Sequence, residues 1–220
     1  YSPAVVDILH YPLGRLIPLD IGEAVQDAIG NSGVKWYLGR YVAALNRLGH
    51  ATRVSLDDGR SFDVDSVLSA VGLRPRTQLA AEAGLSVDYG IKVDVTGRTS
   101  DPHIYALGDC AEYAHGLSAY VTPIMAAARA IAQGALGTPT EIRFPPLSVQ
   151  VKTTACPVVL LPAPRNAKGK WIQIERGAKG LKYLFRDEDG KTLGYALTGE
   201  LCAERVEMDR MLSNIWQGLT

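Results

Sequence analysis

Gly108-Asp109 closes the stretch Thr99-Ser100-Asp101-Pro102-His103-Ile104-Tyr105-Ala106-Leu107, whose last residues read as an apolar strand over His103 to Ala106. In open parallel sheets, ligands bind beyond the carboxyl ends of the strands. A glycine there lets a ligand approach the backbone, because no Cβ intervenes. An aspartate there offers acceptors to sugar-type hydroxyls. Taken alone, Gly-Asp is also an ordinary turn leaving a buried strand. Downstream, Thr122-Pro123 precede the run Ile124 to Gln133. Threonine serves as N-cap and proline is favoured at the first helical position. The helix start carries free N–H groups and about half a positive charge, and so suits an electron-rich ligand.

Three further positions have chemical potential. Asp7 follows Val5-Val6; an acidic side chain ending a strand of a nucleotide-binding βαβ unit accepts ribose hydroxyls, and elsewhere it is a surface carboxylate. Gly72 lies in Ala70-Val71-Gly72-Leu73-Arg74-Pro75, where it permits close backbone approach; Arg74 there also reads as a hinge salt-bridge partner. Lys152, in Val149 to Thr153, is either a ligand-facing cation or a solvated strand lysine. His10, His50, His103 and His115 lack metal-ligand spacing, and Cys110, Cys156 and Cys202 lie far apart with no C-x-x-C. No metal site and no general acid or base is assigned.

The elements that must position these residues follow from pattern. Ala4 to Leu9 is a β-branched run, Ile21 to Asn31 has apolar residues at helical spacing with Gly33 past its end, and Val34 to Leu38 reads as the next strand. Thr52 to Leu56 and Ser61 to Val64 flank Asp58-Gly59, a strong hairpin signal. Val67 to Val71 reads as a strand, Gln78 to Ala83 as a short helix, Ile91 to Val95 as strand-like, and Ala126 to Gln133 as strongly helical. Beyond Pro145-Pro146 the character changes. Val149 to Thr153, Pro157 to Leu161, Trp171 to Glu175, Lys182 to Arg186 and Thr192 to Leu197 predict an antiparallel meander, and Leu201 to Trp216 a closing amphipathic helix. The expected organisation is three pieces: α/β segments at 1–86 and 87–141, and a β-rich α+β piece at 142–220.

Composition narrows the class. The 220 residues are 47% hydrophobic and 21% charged, with a formal net charge of zero. That balance supports a globular core and gives no global bias toward nucleic acid or an anionic membrane. No apolar run approaches the roughly 20 residues that span a bilayer. Few cysteines and no secretion signal lead us to expect a reducing, cytoplasmic setting. The start at Tyr1-Ser2-Pro3, without an initiator Met, reads as a chain entered midway.

The pattern from Thr99 to Asp109 resembles the second FAD-binding signature of the FAD-dependent pyridine nucleotide oxidoreductases, T-x-x-x-x-[IV]-[YF]-A-x-G-D, with Thr99, Ile104, Tyr105, Ala106, Gly108 and Asp109 at the required positions. The resemblance implies a fold of partial Rossmann-like FAD- and NAD-binding domains followed by a small β-rich C-terminal interface domain. It implies that Gly108 and Asp109 meet the ribityl chain of the flavin. It also implies that Tyr120, Val121 and Thr122 present a helix start to the edge of the flavin ring, that Gly72 lies beside the nicotinamide half, and that Asp7 holds the adenosine ribose of NAD and repels the 2′-phosphate of NADPH. The family's two G-x-G-x-x-G turns are absent, since Gly30 and Gly33, like Gly134 and Gly137, lack the spacing. This chain alone should therefore hold cofactor weakly or not at all.

Gly108-Asp109-Cys110-Ala111-Glu112, Val149-Gln150-Val151-Lys152-Thr153 and Cys156-Pro157-Val158-Val159 are similar to stretches of the rubredoxin reductases. That likeness implies electron flow from NADH through FAD to rubredoxin or a similar small acidic redox protein, with Lys152 facing the flavin. Residues 165 to 191 hold eight basic and four acidic residues. Such a face would steer an acidic partner, or is simply solvated. Two alternatives stay open: a reductase for a ferredoxin-type or nitrite/nitric-oxide acceptor, and a non-catalytic scaffold fragment.

Overall fold

The β-branched run after Pro3 forms strand β1 (Ala4–Asp7), and the apolar face of helix α1 (Leu19–Gly30) follows it. Strand β2 (Lys35–Leu38) returns parallel to β1, with Asp7 opposite Leu38, as a strand–helix–strand unit requires. An antiparallel sheet of β3 (Val42–Leu48), β4 (Ala51–Leu56) and β5 (Ser61–Val64) comes next. Gly59 takes the left-handed conformation that turns β4 into β5. The computed structural model describes residues 2–114, 116–117, 120–144, 148–164 and 167–216, without the side chains of 213–216.

A second group of elements lies between residues 71 and 147: α2 (Gln78–Glu82), β6 (Ile91–Lys92), β7 (Ala111–Tyr113), β8 (Gly116–Leu117) and α3 (Val121–Ala135). The C-terminal sheet follows, built from β9 (Val149–Val151), β10 (Val158–Leu161), β11 (Gly169–Gly177), β12 (Gly180–Asp187) and β13 (Thr192–Thr198) in the spatial order β11-β12-β13-β10-β9. All its pairings are antiparallel. A 3-10 turn (Gly199–Glu204) then leads into helix α4 (Arg205–Trp216).

The chain divides into two compact units. One joins residues 1–70 with 148–210; the other joins 71–147 with 211–220. In the first, Ile17 and the α1 residues Ile21 and Val25 bury against Val158, Leu160, Tyr183 and Ala196 of the C-terminal sheet. Tyr183 donates its hydroxyl proton to Asp20 in the first turn of α1, and Arg176 pairs with the same carboxylate at 3.3 Å. Burial, and then Asp20 beside it, push the Tyr183 hydroxyl up to about 12. On the opposite face, fully buried Tyr195 donates to Asp209 of α4 at 2.7 Å, and Ser148 donates to the other oxygen at 2.8 Å. In the second unit, Ala127 and Ala130 of α3 pack with Ala106, Ala111, Tyr113 and Ile142.

Gly22 explains how the segment before α1 is held. The ring of Tyr11 crosses it so closely that a Cβ would sit 2.2 Å from Tyr11 Cδ2. The Tyr11 hydroxyl lies 3.3 Å from the carbonyl oxygens of both Gly14 and Ile17, which fixes the ring. Gly22→Ala should therefore destabilise this unit by about 1–3 kcal/mol, the usual cost of overpacking. Equilibrium denaturation of the full-length protein checks it, and an unchanged midpoint would show that Tyr11 is free to move.

Several expected elements differ. Val67–Val71 forms no strand; Leu68 is 91% exposed and Val71 95%. A strand needs a neighbour to take its N–H and C=O groups, and none lies beside this segment among the described residues. Strand β3 carries no alternating pattern, since Ala43-Ala44 and Asn46-Arg47 interrupt it; pairing with β4 creates it. His103–Ala106 makes only an isolated bridge, Tyr105 to Arg98, and β6 is shorter than Ile91–Val95. The closing helix begins at Arg205, because 199–204 winds as a 3-10 turn.

Candidate functional site

Gly108 has φ +78°, a conformation that L side chains rarely adopt, and it starts the short 3-10 turn Gly108–Cys110. Because 103–106 is not a paired strand, Asp109 does not extend a parallel strand's carboxyl end as the sequence predicts. It stands instead on this turn, immediately before β7. Two contacts fix the turn. β6 runs parallel to β7, Ile91 opposite Ala111, and the Glu112 carboxylate accepts the Gly90 N–H at 2.8 Å. Gly90 itself is irreplaceable by bulk, since a Cβ would meet the Cys110 carbonyl oxygen at 2.9 Å.

Asp109 lines a cleft of about 670 Å³ with Leu73, Arg74, Pro75, Arg76, Cys110, Leu117 and Tyr120. No hydrogen-bond partner of its carboxylate lies among the described residues, so its lone pairs remain available. The 71–76 segment is extended and exposed, tied by the Tyr89 hydroxyl donating to the Leu73 carbonyl at 3.3 Å. Gly72 has φ +98° with open space where a Cβ would lie, and its successor Leu73 enters the cleft. Arg74 lines the cleft and forms no ion pair among the described residues. Arg76 and Cys110 line the cleft although the sequence reading gave neither a role at the site; Arg76 directly follows the Gly72–Pro75 motif, and Cys110 directly follows Asp109.

Helix α3 reaches the same place. Its Ile124 side chain lies 3.6 Å from where a Gly108 Cβ would be. The helix begins two residues earlier than Thr122-Pro123 capping predicts: Tyr120 is the N-cap, Val121 the first helical residue, and among the described residues no side chain caps the end. Proline fits the third helical position as well as the first, because none of the first four N–H groups has an intrahelical acceptor. Val121 is 76% exposed and Thr122 is exposed, so the first turn presents uncapped N–H groups.

The structure thus brings Gly108, Asp109 and Tyr120 together, with Gly72 adjoining and Val121 and Thr122 following in the helix start. Asp7 and Lys152 belong to the other compact unit. Asp7 ends β1 and accepts the Leu9 N–H on Oδ1 at 3.0 Å, with no partner for Oδ2 among the described residues. Beside it, His10 packs over Gly39, whose φ of +64° and missing Cβ admit the imidazole. Lys152 is exposed just beyond β9, without an ion pair among the described residues. Among the described residues no cluster of His, Cys, Asp or Glu could hold a metal ion, and no helix is long and apolar enough to cross a membrane.

Comparison with known proteins adds identity to this geometry. Residues 4–134 match the family described as pyridine nucleotide-disulphide oxidoreductase, and residues 141–212 match a domain described as the rubredoxin binding C-terminal domain. The chain is 43% identical to a rubredoxin-NAD(+) reductase of Alcanivorax borkumensis, over 93% of this chain and 54% of that protein. It is 37% identical to a nitric oxide reductase FlRd-NAD(+) reductase of Aeromonas salmonicida, over 94% and 54%. The chain spans about half the length of the curated relatives it matches. Among solved structures, an FAD-dependent pyridine nucleotide-disulphide oxidoreductase from Desulfovibrio vulgaris shares the fold with a TM-score of 0.85 at 21% identity, covering 98% of this chain and 57% of that one. A ferredoxin reductase from Rhodopseudomonas palustris does so with a TM-score of 0.81 at 23% identity, over 93% and 52%.

Proposed function

Because the chain belongs to the pyridine nucleotide-disulphide oxidoreductase family, we propose that it supplies the latter part of an NADH-dependent flavoprotein that passes electrons to a small iron protein, rubredoxin. The observation that carries the cofactor half is the uncommitted Asp109 carboxylate on a cleft between the Gly72–Arg76 segment and the uncapped start of α3. The residues fit FAD. Gly72 leaves the backbone open, Asp109 accepts ribityl hydroxyls, and Arg74 and Arg76 suit phosphate oxygens. Val121 and Thr122 offer N–H groups where negative charge develops.

When bound, FAD supplies the conversion of a two-electron hydride into single electrons that an iron centre accepts. The chain's residues bind and orient; none is assigned a proton. In this reading Asp7 holds the adenosine ribose of NADH through Oδ2, Lys152 faces the flavin, and segments 1–86, 87–141 and 142–220 serve the NAD, FAD and interface domains. We place the protein in the cytoplasm, where its three free cysteines persist as thiols.

The rubredoxin assignment draws support from the match of residues 141–212 and from the 43%-identical relative. The 37%-identical relative supports a second reading, an acceptor within a nitric oxide reductase system. Stopped-flow reoxidation of the NADH-reduced full-length protein separates acceptors. Rubredoxin should react at least about tenfold faster than a [2Fe–2S] ferredoxin, a difference of about 1.4 kcal/mol in barrier. Preference for the ferredoxin would defeat the assignment.

A further inference from the structure

Strands β1 and β2 run parallel and end together, with Asp7 opposite Leu38. Ligands bind beyond the carboxyl ends of such strands, where an acidic side chain takes a ribose 2′-hydroxyl and a nearby arginine accommodates a 2′-phosphate. This edge carries both residue types. The Arg40 N–H donates to the Asp7 carbonyl oxygen at 3.0 Å, and the Gly39 N–H donates to the Leu9 carbonyl oxygen at 2.8 Å. Arg40 therefore leaves β2 directly beside Asp7.

The arginine is committed elsewhere. Its Nε donates to Asp58 Oδ2 at 2.8 Å, and its Nη1 turns back onto the Gly39 carbonyl at 2.9 Å. Asp58 stands on the β4–β5 turn, which Asp57 holds against this edge: its Oδ1 accepts the Tyr41 N–H at 3.0 Å, and its N–H donates to the Tyr41 carbonyl at 3.2 Å. Asp58 is shared. Arg60 reaches the same Oδ2 from Nη2 at 2.6 Å, and its backbone N–H donates to Oδ1 at 3.1 Å. Arg60 first, and Arg40 with it, hold the Asp58 carboxyl down to about 2, so it is charged at neutral pH. Arg60 has a second anchor in the Tyr37 ring, 5.2 Å away and itself stacked on Phe62. Among the described residues, the half-exposed Arg40 side chain has only Asp58 and the carbonyl of its neighbour.

We infer that Asp58 is a nucleotide-specificity residue, which draws the Arg40 guanidinium off the ribose edge and so denies a 2′-phosphate the cation that would receive it, an inference that rests on the reading of Asp7 at the ribose. NADPH is then disfavoured twice, by repulsion from Asp7 and by withdrawal of Arg40. Discrimination is a difference of affinities, and withholding a partner from the wrong ligand serves it as well as repelling that ligand. Removing Asp58 frees a guanidinium that pairs with phosphate through charge-assisted hydrogen bonds.

The test uses the full-length protein and two readouts: the NADPH-to-NADH ratio of kcat/KM values, and the Kd of adenosine 2′,5′-bisphosphate by calorimetry. Asp58→Ala should raise the ratio about tenfold and tighten the bisphosphate by a similar factor, the effect of one charge-assisted pair. Arg40→Ala/Asp58→Ala should return both readouts to the wild-type values. Asp58→Asn keeps an acceptor for the Arg60 N–H in a turn that Asn-Gly forms readily, and should move both readouts the same way by a smaller step. Asp7→Asn tests the ribose reading separately. A ratio unchanged by Asp58→Ala but shifted by Asp7→Asn overturns the role of Asp58 and leaves Asp7 at the ribose. A gain that survives the loss of Arg40 overturns it too, by showing that only the net charge of the edge matters. If neither Asp7→Asn nor Asp58→Ala moves either readout, both fall.

Discussion

Asp109→Ala should leave the full-length protein largely without flavin after purification. The carboxylate lines the cleft with no partner of its own among the described residues, and it follows a glycine whose +78° φ sets its direction. Hydrogen bonds from hydroxyls to a charged acceptor are worth about 1.5–3 kcal/mol each. Losing one or two of them weakens cofactor binding about ten- to a hundredfold or more. Asp109→Asn keeps an acceptor oxygen and loses the charge, so it should retain an intermediate flavin content. The ratio of flavin to protein absorbance reads both. Full flavin content in Asp109→Ala would remove the role assigned to that residue.

Asp7→Ser combined with Ile8→Arg should move cofactor preference toward NADPH by about a hundredfold in the ratio of kcat/KM values. Two effects act together: the repulsion of a 2′-phosphate by Asp7 disappears, and a guanidinium gains a charge-assisted hydrogen bond to it, each worth about 1.5 kcal/mol or more. Serine is the right replacement. Asp7 Oδ1 accepts the Leu9 N–H, and a serine hydroxyl keeps a weaker version of that turn. Ile8 is 58% exposed, so arginine displaces no packing there. Steady-state kinetics with both nucleotides provide the measurement, and an unmoved ratio would show that Asp7 is not at the ribose.

Local pattern carried a large part of this fold. The Asp58-Gly59 turn fixed the β4–β5 hairpin, the spacing of Ile21 and Val25 fixed the buried face of α1, and the C-terminal meander followed from its alternating strands and glycine turns. What escaped was set by pairing and packing. Val67–Val71 is apolar enough for a strand, yet a strand exists only where another accepts its hydrogen bonds. Strand β3 shows the converse, a segment of weak β preference made a strand by the register of β4.

The same division holds at the candidate site. Gly108-Asp109 stood out because a glycine and a carboxylate in that pattern have few structural uses. Arg76 and Cys110 were invisible for the opposite reason: an arginine and a lone cysteine are common, and only the cleft gives them a neighbour in Asp109. The start of α3 was misplaced by a few residues because proline is tolerated anywhere in the first turn, so Thr122-Pro123 did not fix which residue is the cap.

The central claim is tested most directly by anaerobic NADH titration of the purified full-length protein, followed at the long-wavelength flavin absorbance band. The account predicts a bound flavin that one equivalent of NADH bleaches. A protein with no such band, or a band that NADH leaves unchanged, would contradict it.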